Sequence, residues 1–191
     1  MHFSTDYVFD GGLRRPYVET DAAAPLNHYG MTKWRGEQAI APVCSRHLIF
    51  RIAWLHGRGG SNFIGKILAR ASESGEVRVV DDQRGSPTFA DDVVEQVLTV
   101  LRTDAGGLFH SSNTGDASWY DLAREVFSLL GIRARLQACP TSDFPQKARR
   151  PAWSVLENAR LKELGCHVMR PWKDALEDFL EYYRNGKEVK R

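Results

Sequence analysis

Ser4-Thr5-Asp6-Tyr7-Val8-Phe9-Asp10-Gly11 and, further on, Tyr29-Gly30-Met31-Thr32-Lys33 are the stretches that decide how this 191-residue chain is read. The first runs from a short β-like segment, Phe3 to Phe9, into a loop whose turn is supplied by Gly11-Gly12. The second opens a helix. Pro25 precedes it, Asn27 is placed to cap it, and Trp34, Glu37, Ala39 and Ile40 continue a helical pattern until Pro42. On that helix Tyr29 and Lys33 lie one turn apart on one face. An ammonium beside a phenol stabilises the phenolate and makes the phenol a ready proton donor. Thr5, at the end of the β-like run, can bring a hydroxyl to the same point. The trio suggests proton transfer to or from a sugar-like oxygen. Spacing alone is weak evidence: Tyr183 and Lys187 share it, with Asn185-Gly186 between them where a helix stops, and that copy reads as chance.

Outward from these stretches, strand and helix patterns alternate. His47 to Trp54 is a second strand, too continuously apolar at Leu48, Ile49, Phe50 and Ile52 for a sheet wet on one side. Gly57 to Gly60 is a turn, Asn62 to Ser74 a helix and Val77 to Val80 a short strand. Asp91 is expected to cap the next helix, with Val93, Val94, Val97, Leu98 and Leu101 as its buried stripe. Gly107 to Ser111 is a strand, and Ser118 with Asp121 forms a capping-box start for a helix through Leu130. Arg133 to Ala138 alternates as an edge strand does. Short helices follow near Asn158 to Leu164 and, opened by Pro171, from Trp172 to Arg184. The alternation predicts an α/β fold with a parallel sheet.

Composition excludes several classes. A net charge of +2, from 26 Lys and Arg against 24 Asp and Glu, leaves no basic stripe for nucleic acid. The nearest cluster, Lys147, Arg149 and Arg150, reads equally as a solvated loop or a phosphate contact. Cys44, Cys139 and Cys166 are far apart, and neither they nor the six His have zinc-ligand spacing, so no metal is expected and the thiols should be reduced. No apolar run approaches the roughly 18 residues of a membrane span, and no signal peptide opens the chain. A cytoplasmic setting without membrane partners is the expectation.

The quoted stretches, with Pro16-Tyr17, Glu19, Asp21, Pro25-Leu26-Asn27, Gly36 and Glu37, resemble the extended short-chain dehydrogenase/reductase family, and within it the dTDP-4-dehydrorhamnose reductase branch. Arg51-Ile52-Ala53-Trp54, Asn62-Phe63, Asp82-Gln83-Arg84-Gly85-Ser86-Pro87-Thr88 and Arg150-Pro151 with Ser154 and Leu156 are similar to that branch in the same order. The resemblance implies an incomplete Rossmann-like parallel sheet with a smaller α/β substrate-binding part. Residues 1–56 would be the C-terminal part of the dinucleotide-binding domain, carrying the catalytic residues. Residues 57–191 would be mainly substrate-binding, with 89–112 returning to the Rossmann sheet.

The activity implied is reduction, by NADPH (or NADH), of the C4 carbonyl of a dTDP-4-keto-6-deoxy sugar in dTDP-rhamnose biosynthesis. By resemblance, Tyr29 would donate the proton, Lys33 would hold the nicotinamide ribose, and Thr5 would hydrogen-bond the same oxygen or the phenol. Tyr7 and Trp54 would line the sugar pocket, their alternative being ordinary core aromatics, and Arg51 would either sit near the cofactor at the end of its strand or be a buried structural arginine. Asn62 and Gln83 would meet the nucleotide-sugar, Pro87 and Thr88 would either do the same or only pack their loop, and Arg149 and Arg150 would bind its diphosphate. Tyr7 stands where related 4,6-dehydratases carry a glutamate base, which favours reduction over loss of water.

A glycine-rich phosphate turn should open such a fold, and roughly a hundred residues would come before this segment. The chain is therefore expected to be part of a longer reductase. Alone it should bind NADPH poorly and associate through the unpaired edge of its first strand. A homodimer is compatible with the resemblance. The rival reading is a non-catalytic regulatory or nucleotide-sugar-binding subunit of the same family, against which the intact Thr5, Tyr29 and Lys33 set argues.

Overall fold

Leu48–Ile52 carries apolar residues on both of its faces, and it becomes the centre of the main sheet. The computed structural model describes residues 1–59, 61–144 and 147–184, so Gly60, Asn185, Gly186 and Lys187 lie outside the described residues. In chain order the elements are β1 (His2–Thr5), a 3-10 turn at Asp6–Val8, α1 (His28–Ile40), β2 (Leu48–Ile52), β3 (Leu55–His56), α2 (Phe63–Ser74) and β4 (Glu76–Val80). There follow β5 (Arg84–Gly85), β6 (Thr88–Phe89), α3 (Ala90–Leu101), β7 (Gly107–His110), β8 (Ala117–Ser118) and α4 (Trp119–Leu130). The chain continues through β9 (Arg135–Cys139), α5 (Ala159–Glu163) and α6 (Trp172–Arg184). Among the described residues no helix is long and apolar enough to cross a membrane.

The main sheet has the order β1-β2-β7, all parallel, with Ser4, Arg51 and His110 in one row across it. Alternation along β2 divides its side chains. Phe50 and Ile52 pack with Val93, Val97 and Val100 of α3 and with Phe109, while Arg51 faces α1 through Glu37. A second core joins α2, α4, α6 and the parallel β4–β9 pair, through residues such as Ile64, Val77, Leu122 and Leu176. β3 pairs with β6 in parallel, and β5 with β8 in antiparallel.

Local chemistry explains the boundaries. The strand expected over Phe3 to Phe9 stops at Thr5, because the Thr5 side chain accepts the Tyr7 N–H and starts a 3-10 turn. Asn27 and Asn62 cap α1 and α2 through the N–H groups of Gly30 and Gly65, both at 2.9 Å. Ser118 and Asp121 form the capping box of α4. Gly30 has a second role: a Cβ there would lie 2.0 Å from the Tyr7 carbonyl oxygen, so only glycine lets α1 start against the turn.

Two expectations about α3 are corrected. Asp91 is not its cap; it lies in the first turn, paired with Arg58 at 2.8 Å. The buried stripe is Val93, Val97 and Val100, whereas Val94, Leu98 and Leu101 are about half exposed. Gln96 shares the buried side, its amide held by Cys166 O and Val168 N–H. That polar residue blurs the pattern from which the stripe was read.

Candidate active site

The carboxyl ends of β1 and β2 open onto a cleft of about 580 Å³. Its lining brings together Thr5, Tyr7, Tyr29, Lys33, Trp54 and Arg150, six positions singled out in the sequence. Thr5 ends β1, the turn after it projects Tyr7, and the first turns of α1 supply Tyr29 and Lys33. Tyr29 is 52% exposed, free to meet a ligand, and its ring stands edge-on to Tyr7 at 6.1 Å between centroids. Lys33 Nζ donates to the Phe3 carbonyl at 3.1 Å, which ties the ammonium to the β1 backbone. Thr5 is buried; its Oγ1 donates to Asp6 Oδ1 at 3.0 Å and accepts from the Tyr7 N–H at 3.2 Å.

The two phenols differ. Burial, reinforced by the nearby Asp6, pushes the Tyr7 hydroxyl up to about 12, against the opposing pull of Arg150. Tyr7 thus remains a neutral hydrogen-bonding group. Asp6 is also unusual: burial raises it to about 6, although the hydroxyls of Ser154 and Thr5 and two backbone N–H groups pull the other way.

Trp54 forms a wall of the cleft in a strained conformation, with φ of 43°. Its ring stacks on Trp119 at 3.6 Å between centroids and 5° between planes. On Gly85 a Cβ would come within 2.4 Å of the Trp54 indole, so a bare backbone is needed beneath it. Trp119 and Arg150 also line a neighbouring cleft of about 330 Å³ that contains Asn62 and Gln83. Gln83 is buried and donates to Thr141 Oγ1 at 2.8 Å, while Asn62 caps α2 and donates to Gly57 O at 3.3 Å. Lys66 and Arg78 add positive charge to that cleft, the latter paired with Asp143.

Arg51 is corrected. It does not line the cleft but lies buried beneath the sheet. Its Nε and Nη2 donate to the two carboxylate oxygens of Glu37 at 2.9 and 2.6 Å, and its guanidinium lies over the Phe9 ring. Strand alternation is the reason: Ile52 faces the cleft, so Arg51 cannot. Thr88 is fully buried, its hydroxyl on Ser86 O, and Arg149 meets Asn27 through its carbonyl.

Sequence reading missed Asp6, Trp119, Lys66 and Arg78 as site residues. Lys66 follows Asn62 by one helical turn and was open to detection on that ground. Trp119 shares helical spacing with the buried Leu122 and Ala123 and reads as core.

A cleft at the carboxyl ends of parallel strands, holding a phenol, an ammonium and a buried hydroxyl, defines a ligand-binding α/β domain of Rossmann-like type. The chain belongs to the family described as RmlD substrate binding domain, whose model matches residues 1–185. It is 43% identical over 178 residues to the dTDP-4-keto-6-deoxy-D-glucose reductase of Streptomyces niveus, covering 92% of this chain and 62% of that one. The crystal structure of a dTDP-4-dehydrorhamnose reductase from Clostridium acetobutylicum superposes with a TM-score of 0.93 at 38% identity, over 96% of this chain and 65% of that one. The enzyme of the same name from Bacillus anthracis, solved in complex with NADP, has a TM-score of 0.91 at 34% identity, over 94% and 64%. The chain therefore spans less than two thirds of the length of each of these proteins.

Proposed function

We propose that this chain carries the proton-transfer and sugar-binding machinery of an NADPH-dependent reductase acting on the C4 ketone of a dTDP-4-keto-6-deoxy sugar. The observation that carries the reading is the convergence of Thr5, Tyr29 and Lys33 on one cleft walled by Tyr7 and Trp54. Family membership and the named activities of the relatives support it.

Residues 1–56 together with 89–112 would form the nucleotide-binding part, in keeping with the pairing of β7 to β2, and the remainder would mainly bind substrate. The residues present fit the nicotinamide end of the cofactor: Lys33 is anchored at the cleft beside the exposed Tyr29, and Ile52, Val93 and Val94 offer an apolar wall. The helix N-terminus bordering this cleft opens Ala90-Asp91-Asp92, whose carboxylates are paired with Arg58 and Arg170. When bound there, a reduced nicotinamide would supply the hydride for the ketone carbon.

Tyr29 gives its proton to the oxygen as negative charge develops there. Lys33 holds a ribose hydroxyl and keeps positive charge beside the phenol. Thr5 provides a hydrogen bond at the same oxygen. Tyr7, neutral at working pH, and Trp54 orient the sugar, while Arg150 and Lys66 meet the diphosphate with positive charge. Asn62 and Gln83, whose amides are held by protein partners, shape the nucleotide-sugar side. A cytoplasmic location and a homodimer complete the proposal.

The test is NADPH oxidation dependent on a dTDP-4-keto-6-deoxy sugar, in the polypeptide as its reading frame encodes it. Tyr29→Phe should lower kcat by about 10²–10⁴-fold, the usual weight of a general acid. Unchanged turnover in that variant removes Tyr29 from the role. Sugar-nucleotide binding without any turnover by the wild type would leave the non-catalytic reading in its place.

A further inference from the structure

Thr5 enters the cleft with its proton already engaged. Its Oγ1 donates to Asp6 and accepts from the Tyr7 N–H, so beside an Asp6 carboxylate it has a lone pair for a ligand but no proton. We propose that Asp6 is a positioning residue that sets the direction of the Thr5 hydroxyl. As a carboxylate it holds the Thr5 proton away from the cleft; as a carboxylic acid it donates to Thr5 Oγ1 and turns the Thr5 proton toward the substrate oxygen. The inference rests on the reductase reading, in which Thr5 must donate to a ketone oxygen that becomes an alkoxide.

Geometry carries the argument. Asp6 is 2% exposed, lines the cleft and forms no ion pair among the described residues; its Oδ1 accepts from Thr5 while its buried Oδ2 has no hydrogen-bond partner there. A carboxyl group so placed exchanges its proton in the range where a cell operates, and burial lifts Asp6 to about 6. The other titratable or charged groups on this cleft are Tyr7 on the same turn, Tyr29 and Lys33 on α1, and Arg150 on the loop before α5. The cleft lining holds no histidine and no second carboxyl group among the described residues. Tyr7, raised to about 12, stays protonated throughout the window. Asp6 is the carboxyl group of this cleft that an inflection between pH 5 and 7 would report.

Two measurements decide the matter. In this chain labelled with ¹³C at the aspartate carboxyls, the Asp6 resonance is identified by its loss in Asp6→Asn. It should titrate with a midpoint near 6 rather than near the ordinary 3.8. Thr5→Val removes a donor to the carboxylate and should raise that midpoint further, while Thr5→Ser should restore it. An Asp6 midpoint near the ordinary value, or one unmoved by Thr5→Val, overturns the proposal whatever the activity.

In the turnover assay, wild-type kcat/KM for sugar reduction should fall about tenfold from pH 5 to pH 7, following the population of the acid form of a group titrating near 6. Asp6→Asn should flatten that fall. A fall that survives Asp6→Asn overturns the proposal. Full turnover in Tyr29→Phe would sink the reductase reading instead, and the carboxyl titration would still decide the coupling of Asp6 to Thr5.

Discussion

Glu37 and Asp6 are two carboxyl groups buried to almost the same degree, 3% and 2% exposed, in two regions with opposite uses. Glu37 lies under the sheet, where both of its oxygens accept from the Arg51 guanidinium. Arg51 in turn stands in a row with Ser4 and His110 across the three parallel strands. Asp6 lies at the mouth of the cleft and has hydroxyls and N–H groups around it but no cation pairing with it among the described residues. The difference lies in the counter-charge. A matched pair inside a protein is a fixed structural unit, whereas a buried acid without a cation keeps its proton into the physiological range.

The comparison can be broken at its structural end first. Glu37→Leu leaves the Arg51 guanidinium buried without its carboxylate and should cost about 3–5 kcal/mol in urea unfolding, the typical penalty for removing one partner. The double variant Glu37→Leu with Arg51→Met should recover much of that loss. A single variant of wild-type stability would mean that the pair is not a unit.

Asp6 should behave in the opposite sense. Its folded value, about 6, exceeds the ordinary 3.8, so the native state holds the proton more tightly than the unfolded chain. Its stabilising contribution is complete below pH 3.8 and is lost as pH rises through 6. Asp6→Asn should therefore stabilise the protein at pH 7 relative to its effect at pH 4, by at most about 3 kcal/mol between the two. Equal effects at both pH values would remove the contrast with Glu37.

The smallest effect is expected at His56, a third buried titratable group. It lies among Phe89, Trp119 and Phe179, and burial lowers it to about 4. Here the folded value is below the ordinary 6.5, so stability is full above 6.5 and is lost as pH falls toward 4. His56→Leu should change stability by about 1 kcal/mol at pH 7 and reduce the acid sensitivity of the melting curve. His110, lowered to about 3 by burial and by Arg51, has the same sign and would keep part of that sensitivity in the variant.

How much of the site was legible depended on how far apart its parts lie. Tyr29 and Lys33 share a helical turn, and the caps at Asn27, Asn62 and Ser118 are satisfied within three residues of themselves. Such relations are dictated by backbone geometry, so spacing reveals them. Arg51 could not be placed in this way. Strand alternation says that Arg51 and Ile52 face opposite sides, but not which side holds the cleft. On α3 the choice between Val94 and Val100 for the core was likewise made by the sheet against which the helix lies.

By itself, the sequence determined the alternation of strands and helices, the central buried strand at Leu48–Ile52 and the start of α1 with a phenol and an ammonium one turn apart. Each of these follows from periodicity or from hydrogen bonds made within a few residues. Only the tertiary structure decided that Glu37 would neutralise Arg51, that Gly85 and Trp119 would clasp Trp54, and that Asp6 would be buried against Thr5 with no cation pairing with it among the described residues. Those outcomes depend on packing and desolvation across elements distant in the chain, and burial is a property that no single segment possesses.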